Sequence, residues 1–401
     1  MAQLDELLTQ ALHDIAADAP TLPPLSAQLR RRVRTGRIRT ALACVAAIAV
    51  ASAGLVAGAL AVDRAARSLP ETTPSSRPAW TRYTLNSVEL VAVGGPRASL
   101  LYVAAGDYPS ATLSVFSRAS GRLISRISVP GKPVVLRAGP GGSVWLGFGP
   151  DVTGASTGLW LLNSGLTEHS SLRTSDAEAI DLFDVLPIGP ADAVVAGRSL
   201  MDLHMPGFGG TGSLRDLAAL PTDHGFARHV IAMAISRLGS RYAALQVNNY
   251  LRYRMVIAGG SGAVFNPGNE VAINSVASAG EGLWLATGPN EQAIGINVNR
   301  PGPAVIHLNA QLKDTTPASV RRYRDFRLSV ELVWAFGHTV VVSTDIAARP
   351  LDCFSYHDGV AGPIVRIPAR LPPQDVALSR EMVYAADAFG VIGYRLPPQC
   401  L

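Results

Sequence analysis

The chain has 401 residues, of which 48% are hydrophobic and only 16% charged, and it holds 38 Gly and 28 Pro. The net charge of +5 is diffuse: six Arg against four acidic residues leave +2 in residues 1–40, and the other three charges are spread over the rest. No basic groove interleaved with aromatic residues emerges, which argues against a nucleic-acid partner. The absence of any CxxC pair argues against a zinc module.

Residues 3–18 place Leu4, Leu7, Leu8, Ala11, Leu12 and Ile15 at the i, i+3, i+4, i+7 spacing of one helical face. Pro20, Pro23 and Pro24 then stop the helix. The apolar stripe Leu4, Leu7, Leu8, Leu12 and Ile15 has no domain on its own side to cover it. It reads either as a docking helix for a cytoplasmic regulatory protein through residues 1–24, or as a self-associating or disordered tail. Residues 25–40 carry Arg30, Arg31, Arg32, Arg34, Arg37 and Arg39.

Ala41 to Val62 is a run of 22 residues without a charge. As a helix it would be about 33 Å long, enough for a hydrocarbon core of ~30 Å. Its eight Leu, Ile and Val residues contribute roughly −2.4 to −4.8 kcal/mol on an insertion scale. The Arg cluster before it predicts a cytoplasmic N-terminus, with residues 63–401 on the far side of the lipid bilayer. A cleaved signal peptide is the rival reading, but signal peptides have apolar cores of ~7–15 residues within the first ~15–30, and here forty residues precede the run. Gly54 and Gly58 form a GxxxG, a candidate helix-dimer contact that arises easily by chance in so Ala-rich a segment. Pro70, Pro74 and Pro78 mark residues 63–79 as an extended linker.

From residue 80 the chain repeats. Leu101-Tyr102-Val103-Ala104, Val144-Trp145-Leu146-Gly147, Leu283-Trp284-Leu285-Ala286 and Val383-Tyr384-Ala385-Ala386 share the pattern aliphatic, aromatic, aliphatic, small. Weaker copies at Ala193–Gly197, Ala243–Gln246 and Val340–Ser343 fill the gaps, giving a period of about 47 residues between Tyr102 and Tyr384. Four short antiparallel strands per ~40–50 residues is the unit of a propeller blade. The expected architecture is therefore all-β: a seven-bladed β-propeller over 80–401, preceded by the 1–40 tail, the transmembrane helix 41–62 and the linker 63–79. The last blade, Asp375 to Leu396, is one strand short. Trp80 to Leu85 is an orphan alternating strand expected to complete it.

Gly141-Gly142-Ser143-Val144-Trp145-Leu146-Gly147, continued by Gly158-Leu159-Trp160-Leu161-Leu162, resembles the Gly-x-Leu-Trp-Ile-Gly-Thr…Gly-Leu signature of periplasmic sensor propellers, and Gly280 to Thr287 is similar. The whole layout is similar to anchored propeller proteins of GC-rich Gram-positive bacteria, some of which resemble membrane-bound anti-sigma regulators. That resemblance implies a bacterial plasma-membrane protein with an extracytoplasmic binding or sensing module. The His-x3-Cys-x2-Cys motif of the zinc-bearing anti-sigma class is absent, and the Arg bias over Lys (Lys132 and Lys313 are the two lysines) fits a GC-rich genome.

No catalytic residue, cofactor or metal is assigned. His204 to Gly212 lacks the Lys-Ser/Thr of a P-loop and reads as a long flexible connection in the third blade. His224 and His229 read as solvated. Arg321, Arg322, Arg324 and Arg327, with Tyr323 and Phe326, form the one basic cluster of the exported part, expected as an insertion loop before blade six. Cys353 and Cys400 are either a disulfide in an oxidising compartment or two unpaired thiols. The sequence shows no excess of polar residues aimed at a central channel, which favours an interaction module over the alternatives of an anchored hydrolase or lyase and a structural envelope protein.

Overall fold

A computed structural model of the protein describes residues 80–83 and 88–401, apart from 108, 150–156, 219–230, 249–250, 259–262, 280–281, 291–301, 303, 329, 345–350, 370–372 and 388–389. The chain divides into two compact units, Met1–Ser75 and Ser76–Leu401. The expected docking helix, transmembrane helix, Gly54/Gly58 contact and linker lie outside the described residues, as do His224 and His229. Among the described residues no helix is long and apolar enough to cross a membrane.

Residues 80–401 form seven antiparallel sheets arranged as a closed β-propeller. Blade 1 comprises, from inside outwards, Val88–Gly94, Leu100–Ala105, Thr112–Ser117 and Leu123–Ser128. Blade 2 is Lys132–Ala138, Val144–Gly149, Gly158–Leu162 and His169–Ser171. Blade 3 is Asp184–Pro187, Asp192–Ala196, Leu200–His204 and Ser213–Ala218. Blade 4 is Ile231–Leu238, Arg241–Val247, Tyr253–Ile257 and Val264–Phe265. Blade 5 has three described strands, Val271–Ala279, Gly282–Pro289 and Ala304–Leu308, and a single bridge from Leu308 to Asp314 where a fourth was expected. Blade 6 is Leu332–Phe336, Thr339–Ser343, Leu351–His357 and Val365–Ile367, with Val360–Ala361 hairpinned onto the end of its third strand. Blade 7 is Asp375–Leu378, Met382–Asp387 and Gly390–Arg395, and its outer strand is Trp80–Tyr83. The orphan strand therefore closes the ring, Trp80 pairing with Gly393 and Tyr83 with Gly390. Each inner strand lies against the inner strands of both neighbouring blades, and blade 7 returns to blade 1. Closure removes the free sheet edge that an open array would expose.

All seven repeat copies fall on second strands. The reason lies in their position: a second strand is covered on both faces by neighbouring blades, so Val144–Gly149 is buried throughout and reads as an unbroken apolar run. The aromatic residue of each strong copy points at the next blade. Tyr102 donates its hydroxyl to the Ser164 carbonyl of blade 2 at 3.1 Å. Trp145 packs with Val185 and Val195 of blade 3, Trp284 with Phe326 and Phe354 beyond blade 5, and Tyr384 with Leu101 and Phe116 of blade 1. The small residue two places on lets the inner strands approach. A Cβ on Gly147 would stand 2.5 Å from Val135 and 2.8 Å from Leu182.

Two expectations are corrected. The basic cluster is not a loop but two short helices, α1 (Ala318–Arg322) and α2 (Arg324–Leu328), which bury Val320 and Phe326 beneath blade 6. Arg321 is ion-paired with Asp314 at 2.6 Å. The His204–Gly212 connection is also pinned, with Ser171 N donating to Gly210 O at 3.3 Å and Gly212 N to Ser171 O at 3.1 Å, so it extends the outer edge of blade 2.

Antiparallel pairing puts the inner-to-second and third-to-outer turns of every blade on one side of the ring. We call this the tight-turn face; the second-to-third loops and blade-to-blade connections form the opposite face.

Candidate functional site

Three arrangements of polar residues stand out among the described residues. The first lies at the propeller axis. Asp184 and Asp375 occupy the same rung of the inner strands of blades 3 and 7, each opposite the small residue of its second strand, Ala196 and Ala386. Asp184 accepts from Val185 N at 2.9 Å, from Ile235 N of blade 4 at 3.2 Å and from Arg137 of blade 2 at 2.9 Å. Asp375 accepts from Val376 N at 2.9 Å, Val91 N of blade 1 at 3.0 Å and Trp334 Nε1 of blade 6 at 3.2 Å. Burial pushes the Asp375 carboxyl above the usual carboxylate range, against the pull of the Val91 and Val376 N–H groups, Arg137 and Trp334. The Arg137 pKa is raised, chiefly by the charge of Asp184. Its side chain is 46% exposed although it feels both Asp184 and Asp375, which sit on blades either side of it. It therefore projects into the central channel.

Sequence reasoning missed this set. Two carboxylates 191 residues apart (375 − 184) reach one guanidinium only once the ring has closed. The available signal was an Asp placed 11 or 12 residues before the small residue of a second strand, in Asp184-Val185-Leu186 and Asp375-Val376-Ala377. Chemically the set is a clamp. Two acceptors and one donor tie the inner strands of six blades, and every carboxylate oxygen is occupied by a donor.

The second arrangement is an open groove of about 430 Å³ on blade 3, lined by Ile188, Asp192, Asp202, His204, Ser213 and Arg215. Cross-strand register sets Asp192 opposite His204 and His204 opposite Ser213 on one face, with Asp202 opposite Arg215 beside them. His204 Nδ1 lies 2.7 Å from Asp192 Oδ1, and their side chains are 60% and 48% exposed. The order acid, imidazole, hydroxyl resembles a nucleophile set. Among the described contacts no hydrogen bond joins Ser213 to His204, so the serine has no activating base. The groove offers both signs of charge beside one apolar side chain, which suits a polar ligand group or a partner's side chain.

The third is the C-terminal edge of blade 6. The sulfurs of Cys353 and Cys400 stand at 2.08 Å, with Cα atoms 5.7 Å apart, and Thr339 Oγ1 donates to the Cys400 carbonyl at 2.6 Å. These contacts draw the chain end across from blade 7 onto the tight-turn face of blade 6. His338 and His357 stack there with ring centroids 4.5 Å apart, between exposed Phe336 and Val360.

Of the other residues singled out from sequence, the exposed Arg322, Arg324 and Arg327 share helices α1 and α2. Among the described residues no group of His, Cys, Asp and Glu could hold a metal ion.

No protein-family model and no curated protein sequence matches the chain. Solved structures do. A chain of the Mitotic Checkpoint Complex is similar with a TM-score of 0.55 and 13% identity, covering 82% of this chain and 95% of that one. The Pan2 WD40 domain of Neurospora crassa gives 0.53 and 12%, covering 79% and 91%. The Cps50 (Swd1) β-propeller domain of Myceliophteria thermophila gives 0.52 and 11%, covering 80% and 100%. At such identities the likeness is one of fold: the chain is a β-propeller.

Proposed function

We propose that the protein is a single-pass bacterial plasma-membrane protein whose extracytoplasmic propeller is a binding or protein-interaction module, coupled by one helix to a cytoplasmic regulatory partner. The observation that carries this reading is the closing strand. Trp80–Tyr83 completes blade 7, so residues 80–401 supply every sheet of the ring. No described sheet draws on the uncharged run 41–62 or the Arg cluster before it, and both are available for anchoring and orientation. The propeller's structural neighbours include a WD40 domain and a chain of a multiprotein complex, which supports a protein partner. The axial carboxylates are occupied by donors and the groove serine has no base, which favours binding over the alternative of an anchored hydrolase.

Two measurements test it. The full chain expressed in bacteria should resist alkaline extraction from membranes, and protease added outside should remove the propeller while sparing residues 1–40. Photocrosslinkers at Leu8 and Leu12 should then capture one regulatory protein that is lost on deleting residues 1–24. Extraction by alkali, or protection of the propeller, would overturn the topology. An intact topology with no capture would move the reading to a structural envelope protein.

A further inference from the structure

The described exposed large hydrophobic residues are not scattered over the ring. Leu123 and Ile124 open the outer strand of blade 1, immediately after its third-to-outer turn. Ile188 lies in the inner-to-second turn of blade 3, and Phe208 in its third-to-outer connection. Val264 opens the outer strand of blade 4, while Phe336 and Val360 flank the two tight turns of blade 6. Leu401, the chain end, is brought to the same edge by the Thr339–Cys400 contact. All eight sit on the tight-turn face, and none on the other.

The closing strand enters at that face too. It runs antiparallel to Gly390–Arg395, whose Arg395 end leaves on the tight-turn side, and Trp80 is the end of the closing strand nearest to it. Whatever path residues 63–79 take, they reach the propeller there. These 17 residues span at most about 56–61 Å. As a flexible chain their root-mean-square span would be roughly 21–25 Å. The face is thus held at high local concentration beside whatever surface receives residue 62.

We propose that the tight-turn face is a membrane-contact surface that rests on the lipid headgroups of the bilayer holding residues 41–62; the inference rests on the anchored reading above. Distribution decides between a lipid surface and a protein partner. The apolar residues do not form one patch or groove. They project from blades 1, 3, 4 and 6 around the ring, which suits a planar partner touched at several points. Exposed bases stand among them, including Arg97, Arg122, Arg241, Arg380 and Arg395, and the combination of apolar side chains with bases is the chemistry of an interfacial contact with anionic lipid. The exposed acids of this face, Glu168, Asp358 and Glu381 among them, are fewer than its bases.

The test places a photoreactive amino acid at Phe208, Phe336 or Val360 of the full chain, reconstituted in vesicles of phosphatidylethanolamine and phosphatidylglycerol. The control is the same substitution at Arg198, exposed on the opposite face. After irradiation and alkaline washing, lipid-mass adducts should appear at the three tight-turn positions and stay at background at Arg198. Retention of the chain without such adducts, or with adducts to a second copy of the protein instead, would overturn the contact and leave the anchor standing. Loss of the chain in the alkaline wash would overturn the anchor, and the contact with it.

Discussion

Arg118 Nε donates to the Tyr384 hydroxyl at 2.9 Å while its guanidinium stands 5.3 Å from the centre of the same ring. Tyr384 belongs to the last blade and Arg118 to the first. The same guanidinium also donates to Ser379 Oγ at 2.8 Å and to the Ala98 carbonyl, so one side chain fastens the seam next to the closing strand. Hydrogen bonds to a charged group contribute ~1.5–3 kcal/mol and an exposed cation–π contact ~0.5–1 kcal/mol. We expect Arg118→Met to cost about 2–3 kcal/mol in urea unfolding. Arg118→Lys should recover only part, because an ammonium cannot present the fork that reaches three acceptors at once. Equal stability of both variants and the parent would show that the seam is held by strand pairing alone.

At the axis, Arg137 and Asp184 form the ion pair on which three blades converge, with Asp184 only 9% exposed. Removing the base leaves a nearly buried carboxylate with two backbone donors. We expect Arg137→Gln to destabilise by about 1–2 kcal/mol, below the ~3–5 kcal/mol of a fully buried pair because Arg137 is half exposed. The double variant Arg137→Gln/Asp184→Asn should recover part of that loss, and a double-mutant cycle from unfolding curves measures the coupling. Additive single costs would mean that the pair does not communicate.

His307 gives the propeller a pH dependence whose sign can be worked out. It is buried against Trp284 and Tyr356, with ring centroids 4.7 and 4.5 Å away, and its Nδ1 lies 2.8 Å from Thr315 Oγ1 and 3.1 Å from the Tyr356 hydroxyl. Burial lowers its pKa from 6.5, against a smaller opposing effect of the Asp314 charge. A histidine with a depressed folded pKa binds fewer protons when folded. Its contribution is therefore complete above pH 6.5 and is lost as pH falls through the folded value. Melting temperature should decline on acidification below about pH 6.5, and His307→Gln should flatten that decline. Gly282→Ala should be costly at every pH, about 1–3 kcal/mol, since its Cβ would overlap His307 Nε2.

The parts of the fold legible in the sequence were those that burial writes into consecutive residues. Trp145 and Trp284 stood out because a second strand is covered on both faces, and the glycine or alanine two places later because inner strands must approach there. Trp80–Tyr83 was legible as a strand left without a partner beside a blade missing one. The axial set was not, since Asp184 and Asp375 each look like an ordinary strand-flanking acid until ring closure brings Arg137 between them. Asp192 was missed for a similar reason: its pairing with His204 depends on register across a hairpin. The basic cluster was taken for a loop because Arg321 to Arg327 alternates charge with Tyr323 and Phe326 over too few residues to show a helical period. Packing of Val320 and Phe326 under blade 6 is what makes it helical.

The final expectation concerns Cys353 and Cys400, 47 residues apart in sequence. Their bond would link the third strand of blade 6 to the chain end, which otherwise has only the strand pairing of blade 7 and the Thr339 contact to hold it. For a loop of this length the chain-entropy relation gives roughly 4 kcal/mol, most of it from restricting the unfolded chain. The intact protein should run with two thiols fewer by mass under non-reducing alkylation than after reduction. Reduction, or Cys400→Ser, should lower stability by about 2–4 kcal/mol while leaving the far-ultraviolet spectrum unchanged. Because residue 400 lies beyond the last strand, the loss should free Leu401 and its neighbours before any blade opens. Hydrogen exchange would then rise first at 396–401 and at Thr339–Ser343, the strand whose first residue holds the chain end. Uniformly faster exchange over all seven blades would instead mean that the bond sustains the ring as a whole.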